Sequence, residues 1–218
     1  MDNQSSFYHL IIMDASGSME CIRRAAVSGC NETIQNIRSL QRKIADQQHY
    51  LSLVVFNSDY NPMQTIYDCL PIGEVPEMKE SDFVPDACTP LYDAVGLSIA
   101  NLRSKIKGQK DAAVMVTIIT DGLENSSSVY NESRIRSLVN ELKQCGWTFA
   151  FIGANQDEVL EARKMGIDNA LAFEQNASGT QKLFRKQGRA AERVAMFAAK
   201  CCGEAVPMAS MCDIFAEE

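Results

Sequence analysis

The feature that most constrains the fold is a series of short runs in which nearly every residue is apolar. The clearest are residues 7–13 (FYHLIIM), 50–56 (YLSLVVF), 112–120 (AAVMVTIIT) and 147–152 (WTFAFI). Strands of this kind belong to parallel sheets covered on both faces, because a sheet with one wet face alternates polar and apolar residues. We therefore expect a central sheet with a helical layer on each side.

Amphipathic stretches separate these runs, with apolar residues recurring three to four positions apart as on one face of a helix. The predicted helices cover residues 19–47, 91–106, 135–145, 157–165 and 178–202. Two further strands are predicted at 63–70, reached through a turn-forming segment, and at 169–173. The alternation predicts a three-layer α/β/α fold with a doubly wound, mostly parallel sheet and one antiparallel edge strand.

A single domain accounts for the whole chain, since 218 residues that are 46% hydrophobic can build one sizeable core. We expect residues 1–6 to be a disordered N-terminus and residues 7–175 to form the domain. Residues 176–218 are expected to be a C-terminal helix and tail that pack on the same domain.

The charge and the cysteines limit the class of partner and the compartment. The net charge of -7 argues against nucleic acid and against an anionic membrane surface as partners. No apolar run approaches the roughly 20 residues that span a bilayer, and the first apolar run does not look like a signal peptide. The eight cysteines form no C-x-x-C pair. We expect free, buried thiols and a cytoplasmic location.

Two predicted strands end in an aspartate followed by small residues. Asp14 opens Asp-Ala-Ser-Gly-Ser, and Asp121 is followed by Gly122. In doubly wound sheets, ligands bind outside the carboxyl ends of the strands, where the strand order reverses. Ser16 and Ser18 can aim their hydroxyls at one point, and the two aspartates can supply charge. Such an oxygen set suits a hard cation, above all Mg²⁺.

The sequence here resembles the von Willebrand factor A (VWA) family, whose metal-ion-dependent adhesion site carries an Asp-x-Ser-x-Ser motif. DASGSM matches that motif, and the family's later threonine and aspartate match Thr89 in DACTPLYDAV and Asp121 in IITDGLENSS. The resemblance covers roughly residues 7–173 and implies a Rossmann-like VWA fold. The implied metal ligands are Asp14, Ser16, Ser18, Thr89 and Asp121.

What the resemblance implies about function is metal-dependent protein binding. Ser16, Ser18 and Thr89 would coordinate Mg²⁺, or Mn²⁺ or Ca²⁺, directly, with the two aspartates acting mostly through water. Because hydroxyls are neutral, the ion would keep positive charge for an acidic residue of a protein partner. The chain departs from the family at Cys88, where glycine is usual, and a side chain there would stiffen the loop or alter access to Thr89.

Other interpretations of these residues remain open. Ser16 and Ser18 could cap the following helix. Glu124 and Asn125 could tune the rim of the site, but we expect them to be solvated loop residues. Asp14 could serve a Mg²⁺-dependent phosphoryl-transfer or hydrolytic enzyme, or the site could be vestigial on a scaffold whose helices form the interface.

The histidines favour a protein that is not an enzyme. His9 and His49 are expected to be structural or surface residues, and the absence of a later histidine excludes an α/β-hydrolase triad.

Overall fold

The structure, a computed structural model, describes residues 5–58, 63–109, 111–201 and 213–216. The strands within these residues are β1 (Ser5–Asp14), β2 (Gln47–Phe56), β3 (Met63–Pro71), β4 (Ala112–Thr120), β5 (Thr148–Gly153) and β6 (Ala170–Ala172). The helices are α1 (Arg23–Lys43), α2 (Leu91–Lys105), α3 (Glu132–Gln144), α4 (Gln156–Lys164) and α5 (Ala177–Lys200). Short 3-10 helices cover Gly17–Ile22 and Glu80–Asp82.

The strands form one sheet in the order β3-β2-β1-β4-β5-β6. All neighbouring pairs are parallel except β2 and β3, which are antiparallel. The predicted α/β fold with a mostly parallel sheet and one antiparallel edge strand is thus confirmed. Strands β2 and β3 follow β1 on one side of the sheet, and strands β5 and β6 follow β4 on the other side. The strand order therefore reverses between β1 and β4, where a doubly wound sheet opens a crevice.

Helices cover both faces of the sheet. Tyr8, Leu10 and Ile12 of β1 pack with the core that lies under α2, α3 and α4. Ile11 and Met13 point to the opposite face and pack under α1 and α5. Side chains that alternate between two buried faces explain why the strand is apolar at successive positions. Each fully buried Leu or Ile contributes about 1.5–3 kcal/mol relative to exposure.

Helices α1 and α5 approach each other closely at Gly29 of α1. A Cβ atom at Gly29 would lie 1.9 Å from Phe184 Cδ2, so any larger residue would displace the Phe184 ring. Phe184 is itself fully buried. The last helix therefore belongs to the core of the domain.

The starts of β1 and β2 differ from the sequence-based prediction. Ser5 and Ser6, expected in a disordered segment, are the first residues of β1, and residues 1–4 lie outside the described part of the chain. The Ser5 N–H donates to Asp46 O at 3.1 Å, and the Ser6 N–H donates to Asp111 O at 3.2 Å. Backbone pairing needs no apolar side chain, which is why hydrophobicity missed these residues.

The first predicted helix ends earlier than expected because β2 begins earlier than apolar residues indicate. It starts as a 3-10 helix, becomes α-helical at Arg23 and ends at Lys43 instead of residue 47. Gln47 pairs with Ser5 in the extended parallel ladder, so the chain must already be a strand there.

The C-terminal segment that is described, residues 213–216, lies on the α1 and α5 face. Ile214 is fully buried in a cluster with Phe7 and Ala191. Its N–H donates to Asn169 Oδ1 at 3.3 Å, and Arg193 donates to its carbonyl oxygen at 3.3 Å. The predicted tail between residues 202 and 212 falls outside the described residues.

Both histidines are buried, whereas the cysteines differ in exposure. His9 and His49 are buried, and His9 Nε2 lies 3.0 Å from His49 Nδ1. Six cysteines of the described part are free thiols, while the other two lie outside it. Cys30 is buried as expected, but Cys21, Cys88 and Cys145 are exposed, which corrects the expectation that the thiols are buried. No helix within the described ranges is long and apolar enough to cross a bilayer.

Candidate metal site

The two aspartates predicted as metal ligands come together at the reversal of strand order. Asp14 is the last residue of β1, and Asp121 directly follows β4, its parallel neighbour. Ser18 Oγ donates to Asp121 Oδ1 at 2.8 Å across 103 residues of sequence. Ser16 Oγ and Ser18 Oγ are 3.2 Å apart. The structure therefore brings four of the five predicted residues into one cluster through the sheet topology.

Asp14 forms the floor of this cluster and has no solvent exposure. Its Oδ1 accepts the Ser16 N–H at 2.7 Å, and its Oδ2 accepts the Thr120 hydroxyl at 2.5 Å. Burial raises the pKa of Asp14 to about 6, hydrogen bonds from Thr120 and Ser16 oppose that rise, and the nearby charge of Asp121 adds to it. Sequence reasoning missed Thr120, whose only signal is a polar residue at the end of an apolar strand.

Thr89, the fifth predicted residue, faces the same cluster from the loop before α2. A Cβ atom at Gly122 would lie 2.9 Å from Thr89 Oγ1 and 3.6 Å from Asp14 Oδ2. Thr89 is buried, and its backbone is held on both sides by Asn125. The Thr89 N–H donates to Asn125 Oδ1 at 2.8 Å, and the Asn125 N–H donates to Thr89 O at 3.2 Å. Glycine at 122 therefore keeps open the space between Thr89 and Asp14.

Cys88 does not occupy a backbone position that requires glycine. The left-handed residue of this loop is Ala87, with φ 58°. The Cys88 backbone pairs with Ser58, donating to Ser58 Oγ at 2.9 Å and accepting from the Ser58 N–H at 3.0 Å. The Cys88 side chain is exposed. The departure from the family pattern thus leaves Thr89 facing the cluster.

The loop after Asp121 is more ordered than the expected solvated loop. Glu124 accepts hydrogen bonds from the backbone N–H groups of Ser126, Ser127 and Tyr92, the last at 2.8 Å. Asp93 accepts from the N–H groups of residues 128, 129 and 130. These carboxylates fasten the loop to the start of α2. Asn125 is exposed, as expected of a solvated loop residue, whereas Glu124 is half-buried. The spacing of apolar residues does not predict hydrogen bonds between carboxylates and the backbone N–H groups of distant residues.

Gln175, in the loop between β6 and α5, also reaches the cluster. Its side-chain Nε2 donates to Asp121 Oδ2 and, at 3.0 Å, to the carbonyl oxygen of Ser18. Burial raises the pKa of Asp121, while the hydrogen bond from Ser18 lowers it. No motif in the sequence points to Gln175, because the contact with Ser18 joins residues 157 positions apart.

The donor set fits a hard divalent cation. Three hydroxyls and two carboxylates converge, and oxygen is what Mg²⁺ requires. Within the described ranges, no lysine or arginine forms an ion pair with Asp14 or Asp121. The same ranges contain no cluster of three or more His, Cys, Asp or Glu side chains arranged for a metal. Ser16 makes no side-chain capping hydrogen bond, which removes the main alternative use for it.

No protein-family model and no curated protein matches this sequence. Solved structures do match in fold. The PilB minor pilin from Streptococcus sanguinis has a TM-score of 0.60 at 14% identity, over 90% of this chain and 62% of that chain. The SpaC pilus adhesin from Lactobacillus rhamnosus GG, in its open conformation, has a TM-score of 0.64 at 11% identity. The match covers 87% of this chain and 30% of the adhesin. The SpRpn10 VWA domain has a TM-score of 0.52 at 11% identity, and the match covers 83% of this chain and 94% of that domain.

At these identities the likeness shows a shared fold alone. The chain spans less than two thirds of the pilin and less than a third of the adhesin, but nearly all of the SpRpn10 domain. The Rossmann-like architecture inferred from the VWA resemblance is therefore supported by a structure that is itself a VWA domain.

Proposed function

We propose that this protein is a metal-dependent interaction module that binds an acidic residue of a protein partner. Ser16, Ser18 and Thr89 would hold Mg²⁺, or Mn²⁺ or Ca²⁺, directly, and Asp14 and Asp121 would act mostly through water. The observation that carries the proposal is the convergence of these oxygen donors at the reversal of strand order, between β1 and β4.

Charge explains why such a site would favour a carboxylate. Hydroxyl ligands are neutral, so a divalent cation held by them keeps a net positive charge toward the open side of the site. The chain as a whole carries a net charge of -7, which repels anions elsewhere on the surface. The metal position would then be the one strongly attractive point for an acidic side chain. The same net charge disfavours nucleic acid and anionic lipid as partners.

The similar structures favour an interaction module over a catalyst. One is a pilus adhesin, another a minor pilin, and a third a VWA domain. The six cysteines of the described residues are free thiols, which supports a reducing compartment, for which we propose the cytoplasm.

The rival hypothesis of an enzyme that uses Asp14 has little geometric support. Asp14 has no exposed surface, and each of its carboxylate oxygens already accepts a hydrogen bond, from Ser16 and Thr120. A nucleophile must reach its substrate, and Asp14 presents no surface from which it could do so. The two histidines bond to each other inside the core, so they offer no general acid or base at the site.

The first test measures metal binding by the wild type, Ser18→Ala and the control Ser126→Ala. Ser126 is an exposed serine of the loop after Asp121. Millimolar Mg²⁺ should raise the melting temperature of the wild type and of Ser126→Ala relative to chelator, because only the folded state binds the ion. Ser18→Ala should fold but respond much less. Identical wild-type melts, with no heat of binding in calorimetry, would refute the metal site.

The second test addresses the partner. Proteins captured from the native lysate in Mg²⁺ should be released by chelator, whereas moderate salt should weaken capture only partly, since the contact is short-ranged. Ser18→Ala and Asp121→Ala should each reduce capture. Equal capture by both folded variants in chelator would exclude the site as the interface.

A further inference from the structure

Gln175 engages the candidate metal site although it belongs to none of the predicted motifs. Its Nε2 donates to Asp121 Oδ2 and to the Ser18 carbonyl oxygen. Ser18 Oγ meanwhile donates to Asp121 Oδ1 at 2.8 Å. Both oxygens of the Asp121 carboxylate are therefore engaged by neutral hydrogen-bond donors, one on each side.

The backbone around Gln175 holds this exposed side chain in place. On one side, buried Phe173 donates its N–H to Gly153 O at 2.9 Å, which ties the segment to the end of β5. On the other side, Asn176 caps α5, because its Oδ1 accepts the Gly179 N–H at 2.8 Å. A side chain whose backbone is fixed by a strand end and a helix cap is well suited to position another group.

We propose that Gln175 is a positioning residue that keeps the Asp121 carboxylate out of direct contact with the metal ion. This role rests on the proposed function. With Oδ2 held by Gln175 and Oδ1 accepting from Ser18, Asp121 acts through the Ser18 hydroxyl and through water. The direct ligands then stay neutral, which preserves the positive charge that a partner carboxylate needs.

Loss of Gln175 should move metal affinity and carboxylate affinity in opposite directions. In Gln175→Ala, Oδ2 of Asp121 is released and the carboxylate can rotate onto the ion. A direct carboxylate tightens metal binding but neutralises part of the ionic charge, so an external carboxylate binds more weakly. Gln175→Glu places a second carboxylate at the same rim and should have the same effect, more strongly. A residue that only braced the two loops would lower both affinities together.

The experiment uses Mn²⁺ and acetate as probes of the full chain. Electron paramagnetic resonance gives the Mn²⁺ affinity, and water-proton relaxation of the Mn²⁺-loaded protein reports acetate as it displaces bound water, with chloride keeping the ionic strength constant. Gln181→Ala is the matched control, since Gln181 is an exposed glutamine of α5. In Gln175→Ala we expect Mn²⁺ binding to tighten about threefold and acetate binding to weaken about tenfold, because a carboxylate bound directly to the ion attracts it more strongly and removes part of its positive charge.

The possible outcomes separate this role from the proposed function. Opposite shifts in Gln175→Ala and Gln175→Glu, with Gln181→Ala unchanged, support the role. Parallel weakening of Mn²⁺ and acetate, or unchanged constants in both variants, overturns it and leaves the metal site standing. Failure of the wild type to bind Mn²⁺ overturns the proposed function and this role with it.

Discussion

Gly122 offers the sharpest test of where the metal ion would lie, because its missing side chain leaves open the space between two predicted ligands. In Gly122→Ala the new Cβ atom would be 2.9 Å from Thr89 Oγ1 and 3.6 Å from Asp14 Oδ2. Non-bonded heavy atoms prefer separations of about 3.5 Å or more, so Thr89 Oγ1 must move by roughly 0.6 Å. Metal–ligand distances in a working site are kept within about 0.2 Å, so this shift removes Thr89 as a ligand.

The expected result is a selective loss of metal binding. Replacing one well-placed hydroxyl ligand by a displaced one should weaken Mg²⁺ binding at least about tenfold, which equals about 1.4 kcal/mol. The metal-free fold should lose no more than about 2 kcal/mol. Moving the buried Thr89 side chain costs about 1–3 kcal/mol, and alanine at a backbone position without positive φ offsets up to about 1 kcal/mol of that. Calorimetric titration of chelator-treated protein and melts with and without Mg²⁺ measure the two effects separately.

Gly73→Ala is the matched control, since a Cβ atom there would meet no atom within 4 Å. It should bind Mg²⁺ as the wild type does. Wild-type affinity in Gly122→Ala would show that the ion does not lie between Thr89 and Asp14. A Gly122→Ala variant that is less stable than the wild type without metal, but binds Mg²⁺ with wild-type affinity at low temperature, would contradict the geometry in the same way.

Three further predictions concern the buried histidines, the loop that holds Thr89, and catalysis. Burial lowers the pKa of His49 to about 4 and that of His9 well below its usual 6.5, so stability should be full above pH 6.5 and decline as the pH falls toward 4. In urea titrations, His49→Gln should reduce this decline by about 1.4 kcal/mol per pH unit, and an unchanged slope would refute the assignment. Asn125→Ala removes the acceptor of the Thr89 N–H and should cost about 1–2 kcal/mol in denaturant midpoints together with several-fold weaker Mg²⁺ binding; stability loss without any metal effect would separate this loop from the site. Phosphatase, nucleotidase and esterase assays in Mg²⁺ should stay at background, and turnover that disappears in Asp14→Asn would promote the enzyme hypothesis.

The sequence alone predicted the class of fold because strand and helix periodicity are local properties. Apolar runs of seven to nine residues and stripes three to four apart locate β1, β4, α2 and α5 to within a few residues. The candidate ligands were also visible, since Asp14 and Asp121 end apolar strands and parallel strands bring their ends to one edge. Boundaries formed by backbone pairing alone, such as Ser5 and Ser6 in β1, carried no such signal.

Tertiary structure decided everything that depends on contacts between distant segments. The order of the strands placed Asp14 beside Asp121, and the open space at Gly122 depends on how three loops meet. Gln175 reaches Ser18 across 157 residues, and His9 meets His49 across 40. A side chain's partners across such separations follow from the packing of whole elements, which residue spacing does not encode. The sequence therefore determined which chemical groups lie at the ends of the strands, and the packed fold determined which of them touch.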